Sequence, residues 1–92
     1  MKTQITNLQS PRTYKPVPNQ FLITSDRYNI FQSYETIIAK EDRKTNKITL
    51  DYDWNYSQTT IKYLKEFLGI TKSKKEIQKD IDKGIYKLSN LN

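Results

Sequence analysis

Asp51 and Asp53 stand two residues apart and are followed by the only tryptophan, Trp54, and by the hydroxyls of Ser57, Thr59 and Thr60. On one strand face two carboxylates could share a site, which raises one pKa and suits general acid–base work. Acids at a strand end are ordinarily solvated, however, and Asp53 is equally placed to cap a corner. The hydroxyls lack a histidine to activate them, and a helix entry gives them structural roles instead. Glu41 and Asp42 adjoin Arg43 and Lys44 in what reads as a mixed-charge turn. Cysteine is absent as well, so thiolate and imidazole metal ligands are both missing. The spacing of the acids does not match a calcium loop, and the only glycines, Gly69 and Gly84, cannot form a phosphate cradle. The expectation is a non-catalytic protein with no metal and no cofactor.

Binding chemistry is better represented. Sixteen Lys and Arg against ten Asp and Glu give a net charge of +6, which favours anionic partners. Lysine supplies most of it, Arg12, Arg27 and Arg43 being the only arginines, so the fork that reads guanine or phosphate bidentately is scarce. Aromatics are interleaved with the bases: Tyr28, Phe31 and Tyr34 in one region, Trp54, Tyr56 and Tyr63 in another. Exposed rings beside lysines can stack on single-stranded bases, at about 1–3 kcal/mol per base, or anchor a protein interface. Core packing competes for the same rings, above all for Trp54. The residues singled out for partner contact are Tyr34, Trp54, Thr59, Thr60, Lys62, Tyr63, Lys65, Lys74 and Lys75. With Lys72, the lysines among them form one basic surface if the two helical segments lie side by side, and a solvated face otherwise.

These residues depend on the elements that carry them. Phe21–Thr24 is β-prone, Asp26–Asn29 has turn chemistry, and Ile30–Tyr34 and Glu35–Glu41 read as the next two strands. After the polar turn Asp42–Asn46, Ile48, Leu50 and Tyr52 alternate with Lys47, Thr49 and Asp51, one row for a core and one for water. Short loops favour an antiparallel meander. Ser57 is placed as the N-cap of a first helix with Ile61, Leu64 and Leu68 inward, Phe67 beside them and Gly69 as the stop. Tyr56 and Ile61 have the spacing of a hydrophobic staple, and Ser73-Lys74-Lys75-Glu76 is a capping box opening a second helix. That helix would carry Ile77 and Ile81 inward, Ile85 as the next apolar contact, and stop at Gly84; Tyr86 and Leu88 suit a short closing strand or ordered tail.

A chain of 92 residues fits one small core. The expected class is α+β, a small antiparallel meander followed by two short helices, with residues 20–92 as the single domain. Residues 1–19 hold all three prolines and read as an extended arm, with room for a short strand at Gln4–Leu8. No apolar run suits a signal peptide or a membrane span, which points to a soluble cytoplasmic protein. Oligomeric state is not readable from the chain.

Ser33-Tyr34-Glu35-Thr36 with Ile38-Ala39, followed by Trp54-Asn55-Tyr56-Ser57-Gln58-Thr59-Thr60-Ile61-Lys62-Tyr63 and then Phe67, resembles a family of small uncharacterised proteins of bacteriophages and mobile elements. The pattern runs Ser-Tyr-x-Thr-x-x-Ala, then Trp-x-Tyr-Ser-x-Thr-Thr-x-basic-aromatic, and the likeness spans roughly Phe31 to Leu68. Tyr63 stands where the pattern has histidine, so a site relying on that imidazole is not expected here. The resemblance implies an accessory protein in the cytoplasm of a bacterial host and no catalytic residues. The expected function is therefore binding to a host protein or ribonucleoprotein, as in host takeover or inhibition of defence. The basic balance argues against mimicry of DNA. The alternative is a sequence-tolerant nucleic-acid binder using sheet aromatics and the helical lysines.

Overall fold

The computed structural model describes residues 3–10 and 12–92; Met1, Lys2 and Pro11, all part of the expected arm, lie outside the described residues. Six strands form one sheet in the order β1-β2-β3-β4-β5-β6: β1 Gln4–Gln9, β2 Pro16–Thr24, β3 Tyr28–Ser33, β4 Thr36–Asp42, β5 Ile48–Asp51 and β6 Tyr86–Ser89. β1 to β5 pair antiparallel, joined by short turns, while β6 returns parallel to β5. A parallel neighbour needs a long crossover, and here the helices α1 (Gln58–Leu68) and α2 (Lys74–Asp82) occupy it. The radius of gyration, 12.6 Å, matches the roughly 12 Å of one compact domain of this length. The molecule is a single α+β domain, a meander followed by two helices and closed by a sixth strand.

The meander starts earlier than sequence reading suggests. Residues 4–9 are strand β1, paired with the whole length of β2. Prolines hide that pairing, because β2 opens with Pro16 and Pro18. β3 pairs only with Gln20–Thr24, so the proline-bearing half of β2 has a ladder on one side alone and tolerates the missing donors. At the hairpin tip Ser10 Oγ accepts from the N–H groups of Arg12 and Thr13.

Both helices are bounded as their local chemistry dictates. Ser57 Oγ accepts from the N–H of Thr60, and Gly69, at φ 69°, closes α1 with Ile70 N–H donating to Lys65 C=O at 3.1 Å, the Schellman arrangement. In α2 Ser73 Oγ accepts from Glu76 N–H while Glu76 Oε1 accepts from Ser73 N–H, a complete capping box. Tyr56, half exposed, forms no buried staple; the cap rests on Ser57.

One face of the sheet carries the core. Phe31, Ile38, Ala39 and Leu50 from the strands meet Trp54, Tyr63, Leu64, Ile77 and Tyr86, and Phe31 stacks on Phe67 with centroids 5.9 Å apart. The register aligns Leu22, Phe31, Ala39, Leu50 and Leu88 beneath the helices. The inward face of α1 is Thr60, Tyr63 and Leu64, with Ile61 and Leu68 only part-buried, so the stripe lies about one residue earlier than Ile61, Leu64 and Leu68 suggest. Ile85 is exposed, because Gly84 at φ 80° turns the chain and Tyr86 enters the core instead.

Candidate functional site

The expected acid pair is not a pair. β5 ends at Asp51, which is 2% exposed, and its carboxylate accepts from the N–H groups of Asp53 (3.0 Å) and Leu91 (2.7 Å). Asp51 thus tethers the strand end to the C-terminal residues, and Tyr52, expected inward, is exposed. Asn92 completes that tether, its side chain exchanging two hydrogen bonds with the backbone of Ile37, beyond the Ala39–Glu41 stretch that β5 pairs.

Three of the expected contact residues prove to be interior. Trp54 is 2% exposed, Tyr63 5% and Thr60 0%. Their types reflect packing: Trp54 and Tyr63 fill the core, and the Thr60 hydroxyl joins Ser57 Oγ (2.9 Å) to Ser33 Oγ (3.2 Å), pinning the start of α1 to β3. Tyr34 is exposed at the β3–β4 turn with φ 56°. Thr59 and Lys62 are exposed on α1, where the Lys62 ammonium lies 5.5 Å from the Tyr63 ring, and Lys65 is half-buried near its end. Lys74 and Lys75 are exposed in the first turn of α2. Lys72 is taken up by Asp80, at 2.6 Å, and this hydrogen bond raises its pKa above the ordinary lysine value.

The opposite face of the sheet brings together residues that sequence reading does not. Phe31 and Ser33 of β3 point to the helices, so Tyr28, Ile30 and Gln32 point away from them. Following the register outward from Ile30, one row crosses all six strands: Ile5, Ile23, Ile30, Lys40, Thr49 and Lys87. It is apolar over β1 to β3, where Ile5 is 65% exposed and Ile23 and Ile30 are part-exposed. Over β4 to β6 it is cationic. Neither helix packs on this face; α1 lies against the other side of β3 through Phe67 and Thr60.

At the cationic end the β2–β3 and β4–β5 turns are stitched together. Arg43 N–H donates to Arg27 C=O, the Arg43 guanidinium donates to Ser25 C=O at 2.8 Å, and Arg27 pairs with Asp42 at 3.2 Å. For Asp42, desolvation pushes the pKa up, but hydrogen bonds from Lys44 N–H, Arg27 and Thr45 N–H outweigh it and hold the carboxyl below its ordinary value. Beside this stitch, Tyr28, Lys40, Asp42, Thr45, Lys47, Thr49 and Lys87 line a cleft of about 350 Å³, in which the Asp42 carboxylate is taken up by Arg27. The Lys40 ammonium lies 4.8 Å and the Arg27 guanidinium carbon 5.5 Å from the Tyr28 ring centroid. Among the described residues, Lys40, Lys47 and Lys87 have no carboxylate within ion-pair distance, the two salt bridges being Arg27–Asp42 and Lys72–Asp80. The cleft thus holds three lysines outside any ion pair and one carboxylate, Asp42, already paired with Arg27. The sequence signal for it is the polar row Lys47, Thr49; its partners on β4 and β6 emerge only from the register.

A family model described as "Family of unknown function (DUF8033)" matches residues 3–83. The chain belongs to this family. The matched span runs from β1 through α2, so most of the uncovered face lies within it and Lys87 on β6 lies beyond it. No curated protein and no solved structure matches the chain. Among the described residues no helix is long and apolar enough to cross a membrane.

Proposed function

We propose that the protein is a non-catalytic accessory protein of a bacteriophage or mobile element that binds a host macromolecule, a protein or ribonucleoprotein, in the bacterial cytoplasm. The observation that carries the reading is the uncovered row from Ile5 to Lys87, half apolar and half cationic. Apolar side chains left exposed on a small domain mark contact surfaces, and an adjoining basic patch suits a partner bearing phosphates. A ribonucleoprotein offers both chemistries at once. The resemblance around Ser33–Ala39 and Trp54–Tyr63 supports the phage or mobile-element setting and, with it, a role in host takeover or in blocking a defence system. A second reading, a nucleic-acid binder tolerant of sequence, is favoured by the three lysines that line the Tyr28 cleft.

The test is affinity capture from bacterial lysate, with and without nuclease, comparing the native chain with Ile23→Glu/Ile30→Glu and with Lys62→Glu/Lys65→Glu, each checked for fold by circular dichroism. A partner lost on changing the isoleucines and kept on changing the α1 lysines is the expected result. The reverse pattern would sink the sheet-face reading.

A further inference from the structure

We infer that the cationic half of the uncovered face is a binding site for single-stranded nucleic acid, with Lys40, Lys47 and Lys87 on successive phosphates and Tyr28 stacked against a base. The inference deepens the nucleic-acid reading above and rests on it. Its geometry comes from the sheet. Lys40, Thr49 and Lys87 are direct neighbours across β4, β5 and β6, so the two lysines start two strand spacings apart, roughly 9–10 Å. Lys47 lies two residues from Thr49, beside the other end of the cleft. Three flexible ammonium groups are thus spread along a groove rather than gathered at one point, which suits a backbone of successive phosphates better than a single anion. They are held apart by the register, and Asp42, the one carboxylate in the cleft lining, is paired with Arg27 rather than with any of them. Thr45 and Thr49 add hydroxyls that can donate to phosphate oxygens.

Tyr28 distinguishes a strand from other polyanions. In the free protein its ring has Lys40 at 4.8 Å. A cation over a part-exposed ring is a weaker partner than a stacked base, so an arriving base takes the open part of the ring and Lys40 moves to a phosphate, gaining an ionic contact in exchange. An acidic protein would engage the lysines but would have nothing to place on the ring. A duplex would offer phosphates with its bases stacked away. Binding that reads phosphates and one π-face is blind to the sugar and largely to sequence.

The experiment is fluorescence anisotropy of labelled 12-mers, oligo(dT), oligo(U) and a mixed-sequence duplex, titrated with the full chain at several salt concentrations. Three phosphate contacts to a single strand predict a slope of log K against log salt of about −2, or roughly 15-fold weaker binding between 50 and 200 mM salt. Lys40→Gln and Lys87→Gln should each flatten the slope by about 0.7. Tyr28→Leu should weaken strand binding about 5- to 140-fold while Tyr28→Phe leaves it within about twofold. Oligo(dT) and oligo(U) should bind alike and the duplex more weakly. Chemical shifts of the backbone amides confirm that each variant is folded and show which face the oligonucleotide perturbs. No binding at 20 mM salt overturns the inference, and so does binding that is equal for strand and duplex, or that depends on Lys62 and Lys65 rather than on Lys40 and Lys87. In each case the protein-partner reading is untouched, because its own test turns on Ile23 and Ile30.

Discussion

Thr60→Val separates a structural threonine from a contact residue. The two side chains have nearly the same shape, so the change removes one hydroxyl and little else. Thr60 is fully buried, and its Oγ1 links Ser57 Oγ at 2.9 Å and Ser33 Oγ at 3.2 Å. Ser57 is only part-buried and can turn to water once its acceptor is gone. Ser33 cannot: it is 0% exposed and Thr60 is its side-chain partner. A buried hydroxyl stripped of its partner costs about 1–3 kcal/mol. With 1 kcal/mol worth about 4–8 °C in a domain of this size, a loss near 2 kcal/mol lowers the Tm by about 8–16 °C. Removing both hydroxyls, Ser33→Ala with Thr60→Val, leaves no stranded group, so the double variant should recover part of the loss. Thr59→Val, on the exposed side of the same turn, should stay within about 0.5 kcal/mol of the native chain. Urea and thermal unfolding followed by the fluorescence of Trp54, which is buried and so reports on the core, gives all three values. A Thr60→Val variant as stable as the native chain would refute the reasoning, and so would a double variant no better than the single one.

Ser73→Ala removes the acceptor for Glu76 N–H and half of the capping box, and should lower stability by about 0.5–2 kcal/mol in denaturant unfolding; a change below that range would show that α2 is held by Ile77 alone. Asp42 makes stability depend on acid pH. Its folded pKa lies below the unfolded value of about 3.9, so its contribution is present above that value and is lost as the pH falls through the folded pKa. The Tm of the native chain should therefore drop more steeply as the pH falls below about 4 than that of Asp42→Asn, whose side chain does not titrate; parallel curves would show that the Arg27–Asp42 stitch carries no weight.

The parts of this fold that were legible in the sequence are those whose causes are local. A helix end is decided within four or five residues, and Ser57, Gly69, Ser73 and Glu76 carry their bonding partners with them. The antiparallel meander was legible for the same reason, since short polar turns leave little choice of neighbour. The role of the arm was not, because Pro16 and Pro18 erase the alternation of a strand that survives through its pairing with β1. Thr60 and Tyr63 were not legible as interior for a further reason: a threonine and a tyrosine look like surface by type, while burial there is set by which turn of the helix Ser33 and Phe67 fix against β3.

The cationic row depends on one irregularity that no local pattern announces. Ser33 pairs with Thr36 and Gln32 with Ile37, but Phe31 pairs with Ala39, so Ile38 is an extra residue in β4. Both Ile38 and Ala39 are fully buried, the signature of a bulge that restarts the alternation. Without it Ile38 would face Phe31, and the strict period of two would carry Lys40 to the helix side, opposite Asn29 where Glu41 now stands. The bulge turns Lys40 to the uncovered face, in line with Thr49 and Lys87, and it does so at the cost of one unpaired residue in the ladder. Residues 47 positions apart become a single surface through that one insertion, which is why the face is a property of the register and why a reading centred on the helices does not find it.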